Sequence, residues 1–221
     1  MIERILPPAV VVEECFTDPV GLRLHPDEEH VVANSVAKRR QEFTTVRHCA
    51  RRALARLGLP PAAILPGVRG APGWPAGVVG SMTHCDGYRG AALARVGTIG
   101  SVGVDAEPHA PLPDGVLAAV ALPAERTRTA ALAVAHPGTC WDRLLFSAKE
   151  SVYKAWFPLT GRWLDFAEAD ITVDPAGTFT ARLLVPGPRL GGVELTAFDG
   201  RFLVERGLVV TAVTVPAAPR R

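Results

Sequence analysis

Residues 9–16, Ala-Val-Val-Val-Glu-Glu-Cys-Phe, are rich in β-branched side chains and predict a strand. From residue 27 to residue 57 the pattern turns helical, with Pro26 suited to a first helical position and Gly58, followed by Pro60-Pro61, to a stop. That span is long for one globular helix, so two pieces or a bend are expected. Short strands and turns follow: strands over 63–68, 78–82, 88–96 and 98–107, and a loop over 70–75. Pro108, Pro111 and Pro113 mark a connection, which divides the chain into halves 1–107 and 108–221. The second half repeats the order loosely, with helical patterns over 114–120, 124–135 and 139–157. Strands are predicted over 170–174, 179–185, 193–198, 202–206 and 208–215, with Asp199-Gly200 as a two-residue hairpin turn. Residues 216–221 are expected to fray. Each half thus offers helices and an antiparallel meander, an α+β layout in one compact unit, although no residue-level repeat is visible.

Composition narrows the function classes. The chain has 221 residues, enough for one large domain or two small ones, and its 48% hydrophobic and 21% charged residues exclude global disorder. Gly 21 and Pro 20 read as many turns. A net charge of +2, from 24 Lys+Arg against 22 Asp+Glu, lacks the basic excess of a phosphate-backbone binder. Nucleic acid is therefore not an expected partner, and any anion recognition must be local. Cys15, Cys49, Cys85 and Cys140 form no Cys-x-x-Cys pair, which points away from a zinc or thioredoxin-like site and toward reduced thiols. The first apolar stretch is broken by Pro7-Pro8 and reads neither as a signal peptide nor as a membrane span, so a cytoplasmic protein without a membrane partner is expected.

Four features carry candidate chemistry. Asp105-x-Glu107 closes the apolar run Val102-Gly103-Val104, and in a strand both carboxylates point to one face. Side by side they repel unless a cation lies between them, and a hard divalent ion with oxygen ligands meets that need; acids fanning into solvent are the ordinary alternative. On the 139–157 helix, Trp141, Leu144, Leu145, Ala148, Val152 and Ala155 form the core stripe. At ~100° per residue Glu150 lies half a revolution from Trp141, on a face with Phe146, Tyr153, Lys154 and Phe157. A plain Glu150–Lys154 surface pair is the alternative there. Lys38-Arg39-Arg40 with Arg47, Arg51 and Arg52 is a basic stretch in which Arg40, Arg47 and Arg51 share a helical face, suited to phosphate or simply solvated. Gly80-Ser81-Met82-Thr83-His84-Cys85 is a strand end that can offer backbone N–H groups and an imidazole to an anion, or hold a structural histidine.

In this order the residues resemble the 4′-phosphopantetheinyl transferases, specifically the larger surfactin/enterobactin-synthetase type. The matching segments are Lys38–Phe43 with Arg47, Gly80–Cys85, Gly103-Val104-Asp105-Ala106-Glu107 and Phe146-Ser147-Ala148-Lys149-Glu150-Ser151-Val152-Tyr153-Lys154. Ala155–Thr160 with Arg162-Trp163-Leu164 is similar to actinobacterial members. Two positions depart: Phe146 stands where many members carry Trp, and Arg69 where relatives often have Lys before Gly.

The resemblance implies a pseudo-dimer of two similar α+β halves, each with an antiparallel sheet packed on helices, and coenzyme A with Mg²⁺, or Mn²⁺ in its place, at their interface. It implies transfer of the 4′-phosphopantetheine arm to a serine hydroxyl of apo acyl or peptidyl carrier proteins, with release of 3′,5′-adenosine bisphosphate, by a monomer serving fatty acid, polyketide or nonribosomal peptide synthases. Asp105, Glu107 and Glu150 would be metal ligands, Glu150 also the general base, and Lys149 and Lys154 phosphate contacts. Arg39 or Arg40, Arg47 and His84 would grip the 3′-phosphate end, with Arg69, Ser81, Met82 and Thr83 nearby. Tyr153 and Trp163 would line the pantetheine arm or the acceptor contact. A Mg²⁺-dependent phosphohydrolase and a non-catalytic binding module are the competing readings.

Overall fold

A computed structural model describes residues 1–218. Pro26 does start a helical turn: a 3₁₀ helix, Pro26–Val32, is capped by a box in which His25 Nδ1 accepts from Asp27 N and Glu28 accepts from His25 N. The main helix α1, Ala37–Arg56, follows, and the chain leaves it through Gly58 at φ 71°. Phe43, Val46, Cys49, Ala50, Ala53 and Leu54 are its buried stripe. The expected 27–57 helix is thus two pieces.

Strands β1 (Val11–Cys15), β2 (Val78–Cys85) and β3 (Tyr88–Arg95) form an antiparallel sheet of order β1-β3-β2 against α1. Strand β4 (Ile99–Pro108) leads to helices α2 (Val116–Val120), α3 (Pro123–Ala135) and α4 (Trp141–Thr160). Then come β5 (Ala169–Asp174), β6 (Thr178–Leu183), the small ladder β7 (Arg189–Leu190) with β8 (Val193–Glu194), β9 (Ala197–Glu205) and β10 (Leu208–Pro216). The second sheet has the order β4-β10-β9-β6-β5, so β4, before the proline-rich connection, pairs with the end of the chain.

Three expectations need correction. Residues 63–68 form no strand: Ile64 N donates to Glu28 Oε1 at 2.8 Å and Arg47 Nε donates to the Ile64 carbonyl at 2.9 Å, while Leu65 and Gly67 pair locally with Gly73 and Ala71 across a tight loop. Asp199-Gly200 is not a turn but the middle of β9, facing Thr180 and Phe179. The Phe179 ring lies over Gly200, where a Cβ would meet its Cζ at 2.1 Å, so the glycine serves close packing rather than a turn. The hairpin turns instead at Arg206-Gly207, both at positive φ. The expected strand 193–198 is divided between β8 and the start of β9. Of the tail expected to fray, Pro216 ends β10, and residues 219–221 lie outside the described residues.

Two buried acids show the similarity of the halves. Glu28, at the third position of its helical turn, accepts from His25 N, from Ile64 N and from Arg51 on α1 at 2.9 Å. Glu125, at the same position of α3, accepts from Leu122 N, from Ile171 N and from Lys149 on α4 at 2.9 Å. Both are fully buried, which is tolerable only because both oxygens of each carboxylate accept hydrogen bonds and each pairs with a cation. Where the two sheets meet, the hydroxyls of Ser81 and Thr83 on β2 accept from Val104 N at 3.1 Å and Ala106 N at 3.0 Å on β4. A core shared by Val12, Tyr88, Ala92, Val102, Val104 and Val210 lies across this join. Helix α4 sits on β4 so closely that a Cβ at Gly103 would stand 1.9 Å from the Ser151 carbonyl.

Candidate active site

A cavity of about 480 Å³ opens where α1 and β2 of the first half face α4 of the second. Arg39 and Arg47 enter from α1, Met82 and His84 from β2, Arg69 from the turn after residue 66, and Glu150, Tyr153 and Lys154 from α4. Arg39 and Arg47 lie eight residues apart and so keep one helical face. Arg40, the other candidate, turns away and donates to the carbonyls of Val32 and Ala33 at 3.1 and 3.2 Å. Arg47 is 5% exposed, with its guanidinium 3.2 Å above the Phe43 ring. Burial pulls its pKa down to about 10, against the pull of Glu28, so it stays charged at neutral pH. Arg39 donates to His84 Nε2 at 2.7 Å, and Glu42 Oε2 stands 3.7 Å from His84 Nδ1. Burial, then the Arg39 charge, lowers the His84 pKa.

The acidic side of the site is built by β4 and α4. Asp105 is 5% exposed; its Oδ1 accepts from Lys154 Nζ at 2.7 Å and from Thr83 at 3.3 Å, while its Oδ2 is buried with no hydrogen-bond partner among the described residues. Glu107 Oε2 accepts from Arg143 at 2.9 Å. Burial raises the pKa of Glu107, with Asp105 adding to the rise and Arg143 opposing it. Burial likewise raises Glu150, which Lys154 lowers and Asp105 raises again. Asp105 thus acts on both Glu107, its neighbour on β4, and Glu150 across the β4–α4 seam. As placed, however, no three His, Cys, Asp or Glu side chains among the described residues converge to hold an ion. Instead, Lys154 pairs with Asp105 and Arg143 with Glu107. The donor chemistry still suits a hard divalent cation, since all three candidate residues offer carboxylate oxygens and Asp105 Oδ2 is buried without a partner among the described residues.

Other expected residues fall elsewhere. Lys149, expected on a phosphate, is buried and points away from the large cavity: its Nζ donates to the Phe166 and Ala169 carbonyls at 2.6 and 2.8 Å and pairs with Glu125. Thr83 and Ser81 turn their hydroxyls to β4, although Ser81 also borders the cavity. Tyr153 packs against Phe157 and Trp163, with ring centroids 5.9 and 4.9 Å away, and its hydroxyl is buried without a partner among the described residues. Trp163 is half exposed and lies outside the large cavity, on a smaller one of about 100 Å³ that it shares with Tyr153 and Lys149. Arg69, at φ 54°, reaches across from the first half to within 5.1 Å of the Trp163 ring.

Sequence reasoning missed Glu28, which holds Arg51 and stands 3.8 Å from Arg47, and Arg143, which ties Glu107 to α4. Pro26-x-Glu28 at a helix start was a legible capping signal for the first. Arg143 lies two turns before Glu150 on one helical face, but no local pattern links it to Glu107.

Comparison with known proteins bears on this geometry. The family model of the 4′-phosphopantetheinyl transferase N-terminal domain matches residues 27–94, and that of the 4′-phosphopantetheinyl transferase superfamily matches residues 101–200. The chain is 62% identical over 222 residues to the 4′-phosphopantetheinyl transferase Svp of Streptomyces mobaraensis, covering 98% of this chain and 90% of that protein. It is 52% identical to the 4′-phosphopantetheinyl transferase PptT of Mycobacterium tuberculosis, over 97% of this chain and 98% of the relative. The 4′-phosphopantetheinyl transferase Npt of Nocardia iowensis is 54% identical, over 96% and 99% respectively.

Proposed function

The chain belongs to the 4′-phosphopantetheinyl transferase superfamily, and from that membership we propose which of its residues carry the reaction. The enzyme transfers the 4′-phosphopantetheine arm of coenzyme A to a serine hydroxyl of apo carrier proteins. The observation that carries the assignment of residues is the cavity between the halves, where cations of both halves surround one carboxylate, Glu150. In this reading Arg39, Arg47 and His84 bind the 3′-phosphate of coenzyme A, with Arg69 at the mouth. Lys154 meets the pyrophosphate. Tyr153 and Trp163 flank the pantetheine arm, the buried Tyr153 hydroxyl offering it a hydrogen bond.

The serine hydroxyl attacks the β-phosphorus; the new oxygen–phosphorus bond forms as the bond to the bridging oxygen breaks, and 3′,5′-adenosine bisphosphate leaves with the electron pair. Glu150 takes the hydroxyl proton, directly or through a water, and its raised pKa makes it a better base than an ordinary glutamate. The protein otherwise works by positioning and by charge neutralisation, as phosphoryl transfers require. Asp105, Glu107 and Glu150 would hold a divalent cation, Mg²⁺ or Mn²⁺, which when bound supplies further neutralisation of the pyrophosphate. The carriers would belong to fatty acid, polyketide or nonribosomal peptide synthases. The protein would act as a cytoplasmic monomer; none of the described helices is long and apolar enough to cross a membrane. No observation favours a phosphohydrolase.

Intact-mass analysis of an apo carrier protein mixed with this enzyme, coenzyme A and Mg²⁺ tests the reading. Wild type adds one phosphopantetheine arm, whereas Glu150→Gln suppresses the gain by orders of magnitude while still binding coenzyme A. Undiminished transfer by the variant removes Glu150 from the chemistry.

A further inference from the structure

The two acids of β4 are each paired with a cation of α4, but the two pairs are built differently. Arg143 is clamped at three points: it donates to Glu107 Oε2 at 2.9 Å, to the Ala110 carbonyl at 3.0 Å and to the Pro111 carbonyl at 2.9 Å. The segment after β4 is further tied to the start of α4, because Leu112 N donates to Asp142 at 2.7 Å and Cys140 N donates to His109 at 3.0 Å. Two of the three contacts of Arg143 are thus to backbone carbonyls of that junction, which hold it beside Glu107. Lys154 has no such clamp. Its ammonium, on a flexible four-carbon stem, touches Asp105 Oδ1 at 2.7 Å and the Val104 carbonyl at 3.1 Å, and its side chain borders the large cavity.

We propose that Lys154 is an exchangeable counter-ion: it occupies Asp105 in the free enzyme and moves to the pyrophosphate when coenzyme A binds, freeing Asp105 for a divalent cation. The proposal rests on the reading of Asp105, Glu107 and Glu150 as the cation's ligands. Three carboxylates against Lys154 and Arg143 leave one formal negative charge in the free site, too little to draw a dication strongly. Moving Lys154 onto a phosphate restores the second negative charge. It also releases Asp105 Oδ1 from the ammonium, leaving it the Thr83 hydroxyl alone, while Oδ2 is already buried without a partner among the described residues. Ion and coenzyme A then bind cooperatively, each raising the affinity of the other by the same factor.

Direct coordination of the ion by pyrophosphate would also produce cooperativity, so the deciding measurement is made without coenzyme A. Mn²⁺ binding is followed by titration calorimetry and by the electron paramagnetic resonance signal of free Mn²⁺, on the full chain. Lys154→Met, with Lys154→Gln as a second variant, binds Mn²⁺ about tenfold more tightly than wild type, because removing one charge-assisted hydrogen bond releases Asp105. Arg39→Gln, which removes a cavity cation bonded to His84 and not to a carboxylate, leaves Mn²⁺ binding unchanged. Equal or weaker Mn²⁺ binding by both Lys154 variants, with Asp105→Ala losing it, overturns the exchange and keeps the cation site. Equal tightening by Arg39→Gln overturns the exchange in favour of a general field effect. Mn²⁺ binding by Asp105→Ala as strong as in wild type overturns the cation site, and the exchange with it.

Discussion

His84 has two charged neighbours of opposite sign, and they settle its tautomer. A guanidinium can only donate, so Nε2 accepts from Arg39 and the ring proton sits on Nδ1, toward Glu42. Burial and Arg39 both disfavour a second proton, so the ring is neutral at pH 7 and stays so somewhat below its ordinary value of 6.5. A phosphate beside the ring reverses that balance, because an anion favours the charged imidazole. Binding of coenzyme A at pH near 6 therefore takes up a proton at His84. Calorimetry in two buffers of different ionisation enthalpy reads this as a buffer-dependent binding heat, which His84→Gln abolishes; proton release, or no exchange in wild type, contradicts it. The residue types of this cluster were legible in Gly80–Cys85 and in the basic stretch. The choice of Arg39 over Arg40 as the cavity residue was not, because the periodicity of one helix cannot say which face the rest of the molecule covers.

Helix α4 places three charges within six residues and sends them to different destinations. Glu150 and Lys154, one turn apart, share the cavity face; Lys149, one residue earlier, is rotated by ~100° into the seam with α3 and the segment before β5. Its apolar surroundings lower its pKa through burial, while Glu125 opposes that shift. Removing one member of a fully buried pair leaves the other charge uncompensated, so Lys149→Met should cost about 3–5 kcal/mol of stability. Urea denaturation of the variant checks this. Unchanged stability with weakened coenzyme A binding would return Lys149 to the phosphate role that the motif resemblance gave it. At this scale the core stripe of α4 was readable from spacing. The strand β9 was not, because Asp199-Gly200 has the local chemistry of a turn, and only the Phe179 ring on the neighbouring strand explains a glycine there.

Across the whole molecule, the site exists because two sheets meet edge to edge at β2 and β4. The Ser81 and Thr83 hydroxyls replace the backbone carbonyls that would otherwise receive Val104 N and Ala106 N. Thr83 also donates to Asp105, linking the join to the acidic group. Thr83→Val keeps the shape of the side chain and strands a buried N–H, so it should lower stability by about 1–3 kcal/mol, as Ser81→Ala should. Chemical denaturation measures the loss. If stability is unchanged and coenzyme A affinity falls instead, these hydroxyls face the substrate.

The α+β alternation, the two-piece first helix, the core stripe of α4 and the residue types of the site were legible in the chain, because periodicity, caps and short motifs act within a few residues. Which charges meet was not, since that follows from how distant elements pack. The pairs Asp105–Lys154, Glu107–Arg143, Arg51–Glu28 and Lys149–Glu125 each join residues more than twenty positions apart. A buried charge is stable only where packing brings its partner to it, and that depends on how whole elements dock, which no local pattern encodes.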